Sequence, residues 1–136
     1  MMDKVVYEQD YLSISLYKCV NICENLSASG KTYLPRFAER FSDAPFIERI
    51  ATKKGYMQFV KGFNEGRTVL QTEDILFFDR FDLFKSEELI EILQKIKGIC
   101  ILIDFKNYIH LPIEPIVRST VNYDGKRIEV RSEDTF

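Results

Sequence analysis

Residues 25–32, Asn-Leu-Ser-Ala-Ser-Gly-Lys-Thr, combine residue types and spacing suited to holding phosphate. Phosphate binds best in a concavity of inward-pointing backbone amides with few bulky side chains, set at the positive end of a helix. Gly30, Lys31 and Thr32 fill the last three places of the pattern Gly-x-x-x-x-Gly-Lys-Ser/Thr. Asn25 stands where that pattern has its first glycine. The turn there often needs a positive φ, and after glycine asparagine is among the residues that reach it most readily. In this reading Asn25, Ser27, Ala28, Ser29 and Gly30 form the loop that surrounds the phosphates. Lys31 reaches the β- and γ-phosphates, and Thr32 gives its hydroxyl to Mg²⁺. The plainer alternative is a Ser/Gly turn capping an ordinary helix, with Lys31 a solvated charge.

A nucleoside triphosphate with magnesium also needs an acid that holds the metal through water, usually an aspartate after four apolar residues on a neighbouring strand. Two segments fit, Ile-Leu-Phe-Phe-Asp ending at Asp79 and Cys-Ile-Leu-Ile-Asp ending at Asp104. Asp79 is preferred because it comes first after the loop, and a helix and a further strand follow it. Asp104 with Asn107 would then lie near the γ-phosphate. Either aspartate could instead cap a strand end. Hydrolysis requires a group that positions water. Arg80, Phe81 and Asp82 follow Asp79, so Asp82 is the catalytic candidate if the turn brings it round. Arg80 reads most simply as an ion-pair partner of Asp82 or Glu73. The single histidine, His110, reads as structural. Cys19, Cys23 and Cys100 fall short of a four-ligand metal set and read as small apolar residues.

These residues need strands and helices to position them. Residues 4–7 and 11–16 read as a hairpin, the second arm alternating apolar and polar with period two. Residues 20–23 form a short strand leading into the loop. Residues 32–41 can be helical, with Pro35 tolerated in the first turn and Leu34, Phe37, Ala38 and Phe41 on one face. Residues 46–51 read as a second short helix, and 52–66 are the least readable, punctuated by Gly55, Gly62 and Gly66, with 56–60 a strand or part of a helix. Residues 75–78 and 99–103 are continuous apolar runs, as in strands buried on both faces. Between them lies a helix capped by Ser86, with Leu89, Ile92, Leu93 and Ile96 as its stripe and Gly98 as its stop. Residues 109–117 carry Pro112 and Pro115, which suit an edge strand or irregular segment. Asp124-Gly125 marks a terminal hairpin. Buried strands alternating with helices imply a mostly parallel sheet with helical cover and N- and C-terminal β-hairpins. Ligands bind such sheets beyond the carboxyl ends of the strands.

With 136 residues, 46% of them hydrophobic and 29% charged, the chain suits one globular domain spanning residues 1–136. A net charge of -2 gives no global case for nucleic acid or anionic membranes. No apolar run approaches the roughly 20 residues of a membrane span. No signal-peptide core follows the N-terminus, and three cysteines without a secretion signal argue for reduced thiols. A cytoplasmic location is expected.

On Ser27 to Thr32 and Ile75 to Asp79 the chain resembles the P-loop NTPase superfamily, and within it the small ATP-binding-cassette-like or AAA-like ATPase cores. The opening hairpin also looks like the antiparallel start of cassette-type ATPases. The resemblance covers residues 3–118 and rests on those two short motifs. It implies a three-layer α/β fold binding ATP or GTP with Mg²⁺. Asn25 in place of glycine, no Glu after Asp79 and no Leu-Ser-Gly-Gly signature depart from the pattern, and they bear on turnover more than on binding. Three functions are therefore carried forward. The first is a minimal ATP-binding protein and weak Mg²⁺-dependent ATPase, its site completed by a protein partner or a second copy. The second is a non-catalytic interaction module using residues 109–117. The third is a phosphotransferase acting on a small acceptor.

Overall fold

A computed structural model describes residues 3–23, 33–40, 46–104 and 111–132. Eight strands and four helices follow in the order β1 (Lys4–Gln9), β2 (Leu12–Tyr17), β3 (Val20–Cys23), α1 (Leu34–Ala38), β4 (Ile47–Ile50), α2 (Lys53–Asn64), β5 (Ile75–Phe78), α3 (Phe81–Phe84), α4 (Glu87–Lys95), β6 (Cys100–Asp104), β7 (Ile116–Tyr123) and β8 (Ile128–Ser132). All eight strands form one sheet, ordered β1-β2-β8-β7-β3-β6-β5-β4. β1 with β2 and β7 with β8 pair antiparallel. β2 runs parallel to β8, joining the two hairpins edge to edge. β7, β3, β6, β5 and β4 are successive parallel neighbours.

This corrects the expected three-layer, mostly parallel P-loop-like sheet. The hairpins are not appendages, since they supply four of the eight strands of one mixed sheet that curls into a half-barrel. The cause lies in the two apolar faces. One face is covered by α2, α3 and α4, whose Tyr56, Phe59, Phe81, Leu89, Ile92 and Leu93 pack with Ile22, Leu76, Phe78, Ile101 and Ile103. The other face bears Ile75, Phe77, Cys100 and Leu102, and among the described residues only the five-residue α1 lies against it. The alternating apolar residues of the hairpins (Leu12, Ile14, Leu16, Val121, Ile128, Val130) join the same cluster. Curling therefore buries against each other two sets of side chains that would otherwise need a helical layer, at roughly 25 cal/mol for each Å² of apolar surface removed from water.

Local signals place the helices. α4 starts at Ser86, whose hydroxyl accepts the Leu89 N–H at 3.1 Å, with Glu87 and Glu88 in the first turn. Gly98 ends the turn that follows at φ +75, where a side chain is strained. α2 starts at Thr52, whose hydroxyl accepts the Gly55 N–H at 3.0 Å. Gly62, unusual inside a helix, is explained by Thr68, because a Cβ there would meet the Thr68 hydroxyl at 2.5 Å. The expected short helix at 46–51 is instead the edge strand β4. Pro112 and Pro115 lie in an irregular segment, as one of the two expectations had it, and this segment leads into β7, a central strand. Among the described residues no helix is long and apolar enough to cross a membrane.

Candidate functional site

Three parallel strands end side by side. β3 ends at Cys23, whose register partner on β6 is Asp104. Ile103 pairs with Phe78 of β5, so Asp79, the next residue, stands level with Asp104 one strand over. Both aspartates are buried, at 4% and 7% exposure. The carboxyl edge thus carries two buried acids beside the strand that leads into residues 24–32. Asn25, Ser27, Ala28, Ser29, Gly30, Lys31 and Thr32 lie outside the described residues, as do Asn107 and His110. Their flanks are described. The strand before them is β3, and α1 follows with Pro35 in its first turn. Leu34, Phe37 and Ala38 of α1 are buried as the helical spacing requires. Tyr33 and Phe37 hold the helix against Tyr123 of β7, with ring centroids 5.1 and 5.6 Å apart.

Asp79 is held from both sides. Arg49 of β4 donates Nε and Nη2 to one carboxylate oxygen, at 3.1 and 2.7 Å. The Tyr56 hydroxyl of α2 donates to the Asp79 backbone carbonyl at 2.5 Å. Burial pushes the Tyr56 phenol far above its usual range, and the charges of Asp79, Asp104 and Asp82 push it further in the same direction. Tyr56 therefore stays a neutral donor. All three acids lie within electrostatic reach of this one hydroxyl.

The chain leaves β5 through Arg80, which takes a left-handed conformation (φ 54, ψ 43) and is the one non-glycine residue to do so among those described. This tight reversal starts α3, whose Asp82 is half-buried. Asp82, the catalytic candidate, thus stands in the first turn of α3. The ion pair expected of Arg80 with Asp82 or Glu73 is absent among the described residues, and it is Arg49 that pairs with an acid of the site. Arg49 is not visible as a site residue in the sequence, because Ile-Glu-Arg-Ile lacks strand alternation and reads as part of a short helix. Its only signal is a basic residue one position before the β4 residue that pairs with Phe78.

Removing the arginine tests the pairing. Arg49→Met should lower the unfolding free energy by about 1–2 kcal/mol, less than for a fully buried pair because its side chain is 36% exposed. Urea unfolding at low and high salt measures this, and the loss should shrink as salt screens the pair.

Among the described residues no group of three or more His, Cys, Asp or Glu is arranged to hold a metal. Magnesium is commonly held by one or two carboxylates plus phosphate and water, a donor set that Asp79 with Asp104 fits. Cys19 and Cys100 offer no nucleophile at neutral pH, since burial pushes the Cys19 thiol up to about 11 and that of Cys100 up to about 12. Leu111, Ile113 and Val117 are buried, so this part of residues 109–117 is core and not a surface for a partner. No protein-family model, no curated protein and no solved structure matches the chain.

Proposed function

We propose that the chain binds ATP with Mg²⁺ at the carboxyl edge of β3, β6 and β5 and turns it over weakly, as a cytoplasmic accessory or regulatory factor. The observation that carries this is the alignment of Asp79 and Asp104, two buried acids, beside the strand that leads into Asn25–Thr32. Lys31 and the loop amides are assigned to the phosphates, Thr32 and Asp79 to the metal, and Asp82 to the attacking water. Magnesium, when bound, offsets phosphate charge. With no Glu after Asp79, Asp82 must act from α3, and turnover is slow. A protein partner or a second copy would complete the site.

Mg-ATP at about 100 times its dissociation constant should stabilise the protein by about 2.7 kcal/mol. Thermal melts of the wild type and Lys31→Ala read this, and the shift should vanish in the variant. Calorimetry showing no heat of Mg-ATP binding by the wild type would sink the proposal.

The Arg49–Asp79 pair favours a second reading, a non-catalytic interaction module in which the metal's acid stays engaged by arginine. The two readings part on Arg49→Met. If Asp79 takes the metal, freeing it should tighten Mg-ATP binding. In an interaction module the variant gains no nucleotide affinity.

A further inference from the structure

Helix α2 carries two apolar stripes. Tyr56, Phe59 and Gly62 enter the core. Met57, 62% exposed, faces outward, as does Leu83 of α3 (66% exposed), while the half-buried Val60 and Phe84 pack against the edge of the core beside them. Between them opens a groove of about 1150 Å³ that includes all four of these side chains in its lining. The exposed Met57 and Leu83 that line this groove stand outside the core, and adaptable Met-containing surfaces are used for docking.

The charges along the rim select the occupant. Lys53, Lys54 and Lys61 of α2, with Lys85, line the groove against Glu65 and Glu88. Glu65 is already paired with Arg67 at 2.5 Å. The groove is thus a basic feature on a chain whose net charge is -2. We propose that it docks an amphipathic helix of a partner protein, with apolar residues on Met57, Val60, Leu83 and Phe84 and acidic flanks facing the lysines. α2 runs 12 residues, or roughly 18 Å, which matches about three turns of such a helix. A concave trough fits a cylinder better than the flat face of a membrane. A second copy is a poor fit, because the acidic helix α4 turns its apolar stripe, Leu89, Ile92 and Leu93, into its own core.

The probe is a fluorescent model peptide about 18 residues long, enough to hold a helix, with leucine at helical spacing and glutamate elsewhere. A matched peptide has lysine for glutamate. Anisotropy should show saturable binding of the acidic peptide only. Met57→Glu with Leu83→Glu should weaken it by about tenfold or more, and so should Lys54→Glu with Lys61→Glu. All four positions are on the surface, and circular dichroism checks that each variant is folded. No binding of the acidic peptide, equal binding of both peptides, or indifference to the substitutions overturns the proposal. So does a dimer in sedimentation velocity that Met57→Glu dissolves, or binding to phosphatidylserine vesicles in preference to the peptide. None of the four substituted residues belongs to the acid cluster, so this proposal and the nucleotide reading can fail separately.

Discussion

Asn21→Ala should lower the unfolding free energy by about 3 kcal/mol, because it breaks a fully enclosed polar network. Asn21 sits on β3 at 0% exposure. Its Nδ2 donates to the carbonyls of Cys19 (2.8 Å), Tyr17 (2.9 Å) and Ile101 (3.3 Å). Its Oδ1 accepts from the hydroxyls of Ser132 (2.7 Å) and Ser119 (3.2 Å), which lie 2.9 Å from each other. Two of the three carbonyls keep backbone partners, Tyr17 from the Cys19 N–H and Cys19 from the Ile101 N–H. The loss therefore falls on the Ile101 carbonyl, on the two buried hydroxyls and on the space vacated by the amide. Asn21→Asp should cost more, since a carboxylate would face carbonyl oxygens with no N–H to offer. Asn21→Leu combined with Ser119→Ala and Ser132→Ala should recover part of the loss, because the two buried hydroxyls are removed along with the amide they bond. Urea unfolding measures all three. An alanine variant within about 0.5 kcal/mol of wild type would show that the network contributes little. The network matters to the candidate site because it ties β3, the root of residues 24–32, to β7 and β8 across the sheet.

Strands with strong periodicity or continuous apolarity could be read before the structure, and those without could not. β3 spans the expected residues, β5 likewise, and β6 is shifted by one. Each lies in the buried part of the sheet, where every position must be apolar or satisfied, as the strand pattern requires. Ser86 and Gly98 bracketed α4 because capping chemistry is local. β4 was missed because only Ile50 of its four residues is buried. α2 was legible only as a strand or part of a helix over 56–60, because Gly55 and Gly62 read as breaks, while the reason for Gly62, its closeness to Thr68, involves a residue beyond the helix. The hairpins were legible as hairpins. Their insertion into the sheet was not, since the parallel pairing of β2 with β8 joins segments more than a hundred residues apart and no local pattern encodes it. In the candidate site Asp79 and Asp104 were legible from four apolar residues followed by an acid, and Arg49, brought in by that missed strand, was not.

Phe77 and Phe78, adjacent on β5 and both at 0% exposure, should report separately on the two sides of the curled sheet. Phe78 enters the helical core, with ring centroids 5.3 Å from Phe59, 5.6 Å from Tyr56 and 6.2 Å from Phe81. Phe77 enters the cluster shared with Leu12, Ile14, Val130 and α1. Truncation to alanine should cost about 3–5 kcal/mol at either position. Phe78→Ala should lie at the upper end, because aromatic pairs add about 0.5–1.5 kcal/mol each beyond their buried area. Phe78→Leu then separates the two contributions, as it keeps most of the burial and loses the ring contacts. The location of the damage discriminates further. Hydrogen exchange in Phe78→Ala should lose protection first in α2 and α4, whereas Phe77→Ala should release β2, β8 and α1. Phe77 reaches the hairpin strands only because the sheet curls. If β2 and β8 kept wild-type protection in Phe77→Ala while global stability fell, the two halves would not share a core. The hairpins would then be independent of the parallel strands that carry Asp79 and Asp104.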